Sequence, residues 1–156
     1  MPKKIAWGGI DPGQSGCACL LTESEIRFHD FYSEARAVDK IDEWHHSFRV
    51  KFLLEKQFDV RKKGFNVPGK LLINYGFWVG VLMGLNCSFI EKASRSWQVI
   101  IPVKAVKGED TKTRSLKWAN EFYPAAAGKL SRKKDNGRAD ALLMAHYLRQ
   151  NETGGR

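Results

Sequence analysis

A chain of 156 residues, 43% hydrophobic and 28% charged, is long enough for one domain with a real core and too short for two full ones. Lys and Arg number 26 against 17 acids, a formal net charge of +9, and an excess of that size favours a polyanion as partner through phosphate neutralisation and counterion release. An anionic membrane surface is disfavoured because no basic amphipathic helix stands out, and the apolar run 71–85, interrupted by Asn74, is too short to span a bilayer.

Residues 4–21 (KIAWGGIDPGQSGCACLL) read as an apolar strand, a sharp turn carrying one acid, and a second apolar strand. Asp11 sits just past the run Ile5 to Ile10, Pro12 and Gly13 open the turn, and Gly16 leads back into Cys17. Residues 25–32 alternate apolar and polar and predict a third strand, completing an antiparallel meander. Residues 35–48 place Val38, Ile41, Trp44 and Phe48 at helical spacing, with His45 and His46 at the surface or its boundary. Residues 50–58 predict a strand with Glu55 near its end; coming after a helix, it pairs parallel to the first strand in a crossover unit.

A basic, glycine-containing loop at 59–69 leads to a helix at 70–86 that is apolar around most of its girth. Gly76, Gly80 and Gly84 form one stripe along it, and each costs about 1 kcal/mol relative to Ala in a helix. Something is therefore expected to press against that stripe: the sheet first, a helix of a second subunit as the alternative. A short strand at 88–93 follows, then a loop or partial helix at 100–107, a helix at 111–123 with Leu116 and Ala119 facing inward, a basic small-residue loop at 124–134, and a last helix at 135–150. Residues 1–150 form the domain, and 151–156 (NETGGR) read as a frayed, disordered tail. The order predicts an α/β domain, a central mixed five-stranded sheet flanked by helices.

The N-terminus lacks the long apolar stretch and small-residue cleavage site of a signal peptide. Cys17, Cys19 and Cys87 are an odd number without metal-ligand spacing, which predicts buried reduced thiols and a cytoplasmic protein.

The acids carry the chemical signal. A lone carboxylate buried at a strand end costs several kcal/mol unless it is paired or meets a cation, although Asp-Pro-Gly is also an ordinary turn former. Asp11 and Glu55 fall at the ends of strands predicted to be adjacent and parallel, hence at one edge of the sheet. Asp140 lies in the last helix amid Ala139, Ala141, Leu142 and Leu143, an unusual place for an acid without a partner. Asp135 stands at that helix's start, where an acid can also serve as a cap. Carboxylates meeting at one point repel one another. Two hard divalent cations supply the counter-charge, oxygen-only ligation suits Mg²⁺ or Mn²⁺, and such a pair can drive phosphodiester cleavage.

Gly9-Ile10-Asp11-Pro12-Gly13, Leu54-Glu55 and Asp135-Asn136-Gly137-Arg138-Ala139-Asp140-Ala141-Leu142, in that order over residues 4–149, resemble the RuvC-type Holliday junction resolvases, most of all their short phage-encoded branch, with an RNase H-like fold. The resemblance implies a Mg²⁺-dependent endonuclease with two ions per site, Mn²⁺ substituting, that cuts four-way and other branched DNA into paired symmetric nicks with 5′-phosphate and 3′-hydroxyl ends. It implies a homodimer through the helix at 70–86, in the cytoplasm of a host bacterium if the chain is phage-encoded. It makes Asp11 the ligand shared by both ions, Glu55 the second, Asp140 the helix-borne third and Asp135 the fourth. The bacterial enzymes carry the last two acids three residues apart, and the position three before Asp140 is Gly137 here.

Phe58 falls where the family has an aromatic that meets bases; it reads equally as a core or loop aromatic. Lys112 falls near a family lysine that approaches the scissile phosphate, or is an exposed first-turn lysine. Lys62, Lys63, Arg132, Lys133, Lys134 and Arg138 form two loop clusters expected to track DNA phosphates, each also readable as a solvated charge. The alternative function is a junction-binding architectural protein without cleavage, against which the acids argue, since a pure polyanion binder gains by losing them. Actin-like ATPases carry a comparable Asp turn but need two related halves, which 156 residues do not supply.

Overall fold

The computed structural model describes residues 1–13, 15–57, 69–102 and 107–154. Phe58, Lys62 and Lys63 lie outside these described residues. Five strands, β1 (Lys4–Asp11), β2 (Cys17–Leu21), β3 (Ile26–Asp30), β4 (Phe48–Glu55) and β5 (Ser88–Lys92), form one sheet in the order β3-β2-β1-β4-β5. The β1–β2 and β2–β3 pairs are antiparallel, the meander expected, while β1–β4 and β4–β5 are parallel. The central strands read as near-continuous apolar runs because both faces of the sheet are covered.

The two-residue period of each strand sorts its side chains into two cores. Ala6, Ile10, Val50, Phe52 and Leu54 face the helices α1 (Glu34–Ser47) and α2 (Gly69–Gly84). Trp7, Cys17, Cys19, Leu21 and Leu53 face α3 (Ser94–Trp97), α4 (Thr111–Phe122) and α5 (Asn136–Thr153). All three cysteines are buried free thiols, as expected. Ser33 caps α1 by accepting from the Arg36 amide, and Asp110 caps α4 by accepting from the Lys112 amide. Helix α1 turns into β4 without a loop: the Phe48 amide donates to the Trp44 carbonyl and Phe48 opens the strand, two residues before the expected start.

One close approach sets the geometry of the site. A Cβ added at Gly9 would stand 1.9 Å from the Ala141 carbonyl oxygen, so α5 rests directly on the backbone of β1. Asp140, the residue before Ala141, is thereby brought over the end of β1, where Asp11 closes the strand.

Three expectations are corrected. Nothing lies within 4 Å of a Cβ built at Gly76, Gly80 or Gly84; α2 instead buries Asn74, Trp78, Val81 and Leu82, so the glycine stripe faces away from the sheet. Helix α3 and the 3₁₀ turn Gln98–Ile100 lead into the expected loop or partial helix at 100–107, of which 103–106 lie outside the described residues. The basic loop contains the 3₁₀ turns Pro124–Lys129 and Lys133–Asp135. The tail is helical through Thr153, because Glu152 accepts from Trp7 Nε1 at 2.9 Å and pairs with Lys51 at 3.1 Å. Among the described residues, no helix is long and apolar enough to cross a membrane.

Candidate active site

Strands β1 and β4 run in parallel register with Ile10 opposite Leu54, so the next residues, Asp11 and Glu55, emerge side by side at one edge of the sheet. Asp11 Oδ1 accepts from the Gly13 amide at 2.9 Å, within the turn that Pro12 and Gly13 open. Glu55 Oε2 accepts from Trp97 Nε1 at 2.8 Å and Oε1 from Gln57 Nε2 at 3.2 Å. Asp140, from α5, stands beside Ser115 of α4, which favours its ionised form, while its Oδ1 is buried with no hydrogen-bond partner among the described residues. Lys112, one turn before Ser115, is exposed at the mouth of the site and acts electrostatically on both Asp11 and Asp140.

The charge of Asp11 acts on both Glu55 and Asp140. Burial raises the Asp11 carboxyl above its ordinary value, against the Gly13 amide and Lys112. Burial, then the charge of Asp11, raises Glu55, opposed by the Trp97 and Gln57 hydrogen bonds. Burial, Asp11 and Glu55 push Asp140 up to about 8, against Ser115 and Lys112. Among the described residues their close partners, a backbone amide, an indole, a carboxamide and a hydroxyl, are neutral, which fixes direction without balancing charge. Among the described residues, no group of three or more His, Cys, Asp or Glu side chains is drawn together closely enough to hold a metal ion as it stands. A hard divalent cation beside Asp11, Glu55 and Asp140 would relieve the orphaned Asp140 oxygen and the shared upward shifts, and these three would be the residues to hold it.

No family model matches the chain. It is 36% identical over 72 residues, 46% of its length, to the chloroplastic Holliday junction resolvase of Chlamydomonas reinhardtii, and spans 8% of that protein. In structure it matches RuvC of Thermus thermophilus in complex with a Holliday junction substrate, at a TM-score of 0.55 and 16% identity, over 97% of this chain and 96% of that one. RuvC of the same organism, in a further structure, gives the same TM-score and identity over 96% of each chain. The chain is RuvC-like in fold.

Within this RuvC-like framework two expected site residues have other partners. Asp135 is buried and accepts from the Arg132 amide at 3.0 Å, from Arg132 Nε at 3.2 Å and from its terminal nitrogen at 2.8 Å, with Arg138 a further 3.8 Å away. Arg132 accordingly holds the Asp135 carboxyl below the usual range, and its charge is offset before any metal is considered. Arg138 is turned from the solvent: its Nε donates to Asp30 Oδ1 at 2.8 Å, its second terminal nitrogen reaches Oδ2 at 2.5 Å, and the first donates to the Lys129 carbonyl at 3.1 Å. These contacts tie the start of α5 to β3 and engage the guanidinium within the protein.

Lys133 is exposed and paired with Asp110 at 2.9 Å, and Lys134 is exposed. Gly137, where the bacterial pattern has an acid, abuts the site: its Cβ would lie 2.5 Å from the Ser15 carbonyl oxygen and 3.2 Å from Asp11 Oδ2. The Asp11 turn therefore fills the space a fourth carboxylate at that position would take. Sequence reasoning missed Trp97, Gln57 and Ser115. Gln57 follows Glu55 by two residues and was within reach of a local reading; Trp97 and Ser115 carry no local signal.

Proposed function

We propose that this chain is a Mg²⁺-dependent endonuclease that resolves four-way DNA junctions, with Mn²⁺ able to substitute. The observation that carries it is the meeting of Asp11, Glu55 and Asp140 at one edge of a RuvC-like sheet, with neutral donors on Asp11 and Glu55 and, among the described residues, no ion pair on any of the three. The net charge of +9 supports a nucleic-acid partner. So do the named relatives, a Holliday junction resolvase and a RuvC solved with a Holliday junction substrate.

Asp11, Glu55 and Asp140 would hold the metal, Asp11 being the acid whose charge acts on both of the others. A pair of bound divalent cations supplies water activation and stabilisation of the leaving oxygen. Lys112 presents a positive charge beside the carboxylates and steadies the negative charge that develops on the scissile phosphate. No side chain here acts as a covalent nucleophile, and the products are 5′-phosphate and 3′-hydroxyl ends. Arg132, Lys133 and Lys134 follow the DNA backbone near the start of α5. Two copies joined through the open face of α2 cut opposed strands of one junction, in the cytoplasm.

Glu55→Gln tests the reading: it keeps the acceptor for Trp97 and removes the charge. Cleavage in Mg²⁺ falls at least about 100-fold, the scale on which a preorganised electrostatic contact acts, while junction binding in EDTA persists. Undiminished cleavage by this variant would contradict the assignment of the site.

A further inference from the structure

We propose that Trp97 is a positioning residue for Glu55: its buried indole N–H fixes the direction of the carboxylate while leaving the charge available to a cation. The role rests on the metal-dependent reading above. A buried indole has one polar atom and needs an acceptor for it. Trp97 is 0% exposed, packed in the same core as Leu53 and Ala141, yet that one polar atom is directed at a carboxylate 2.8 Å away.

The topology makes the contact. Strand β5 pairs in parallel with β4, with Lys92 opposite Glu55, so the chain leaving β5 turns immediately into α3 and carries Trp97 back over the end of β4. The ring is held on all sides by core side chains, which makes its N–H a fixed direction. Gln57, on the other carboxylate oxygen at 3.2 Å, is a flexible side chain just past the strand end and fixes less.

The contrast with Asp135 gives the contact its meaning. There Arg132 satisfies the carboxylate by hydrogen bonds and, with Arg138 3.8 Å away, offsets its charge. At Glu55 a cationic donor would compete with a metal for the same electrons, whereas an indole cannot. Neutral donors behind a metal-binding carboxylate orient it, and removing one typically costs 10–100-fold in metal affinity or activity.

The test uses the full chain labelled with ¹⁵N, whose five tryptophans give five indole resonances, Trp97 being identified by its loss in Trp97→Phe. Mg²⁺ added without DNA shifts the Trp97 resonance more than the other four. Trp97→Phe raises the Mg²⁺ concentration for half-maximal cleavage at least about tenfold, while its junction affinity in EDTA stays within about twofold of wild type. A static Trp97 resonance in a wild type that cuts junctions, or wild-type Mg²⁺ dependence in Trp97→Phe, would overturn this role alone. A wild type that cuts no junction in any divalent metal would overturn the endonuclease reading and this role with it. Should Trp97→Phe not fold, the wild-type resonance, assigned through backbone connectivities, decides.

Discussion

Asp140 is a carboxylate held in a place that disfavours its charge. Burial and the neighbouring Asp11 and Glu55 move it from its ordinary 3.8 to about 8, so ionising it costs the folded chain more than the unfolded one. The sign follows: the penalty is absent below the unfolded value near 4, grows as pH rises, and is complete above about 8. Without metal, Asp140→Asn is therefore more stable than wild type at pH 8, on the order of 1 kcal/mol or roughly 2–4 °C in Tm, and the gap narrows towards pH 5. Thermal melts in EDTA at the two pH values check this; a pH-independent difference contradicts it. Mg²⁺ then raises the wild-type Tm, since a ligand that binds only the folded state stabilises it.

At this scale the three acids were legible because each breaks a one-dimensional pattern, an acid ending an apolar strand or interrupting an apolar helix face. Their donors were not, because Trp97 and Glu55 stand 42 residues apart and nothing local marks a core indole as a hydrogen-bond donor to one particular side chain. The partners of Asp135 are the instructive case: Arg132 and Arg138 sit three residues to either side of it, a spacing at which side chains meet near a helix start, and both reach its carboxylate.

Among the elements, α5 and α2 show how a helix is read well and badly. The long apolar run of α5 and its seat on Gly9 leave one way to face the sheet, and Asp140 follows from it. Helix α2 is apolar around most of its girth, so periodicity cannot say which side meets the sheet. The structure buries the side with Trp78 and Leu82 and leaves the other open, with Ile73 72% and Met83 67% exposed beside the glycine stripe. In the proposed dimer that open face is covered by its counterpart, the small residues letting two helices approach. Ile73→Arg then shifts sedimentation from dimer to monomer at micromolar concentration and leaves the far-ultraviolet spectrum unchanged. A wild type that sediments as a monomer throughout would contradict dimerisation through this face.

At the scale of the molecule, five strands in the order β3-β2-β1-β4-β5 place two acids at one edge and let one helix deliver the third. Much of this was legible: strand periodicity predicted the meander, the parallel crossover and the shared edge of Asp11 and Glu55. What was not legible, the direction of the glycine stripe, the ion pairs around Asp135 and Arg138, and the folded end of α5, depends on contacts between segments distant in sequence. The excess of positive charge is a property of the whole surface and points to DNA without selecting its shape. Selection for branched DNA is therefore the claim that most needs a direct measurement: cleavage by the wild type, in Mg²⁺, of a synthetic four-way junction and of a linear duplex of the same sequence, with the product ends mapped. Paired symmetric nicks in opposed strands of the junction, with the duplex left intact, are the predicted result. Equal cutting of both substrates, or a tightly bound junction left uncut in Mg²⁺ and Mn²⁺ alike, would contradict it.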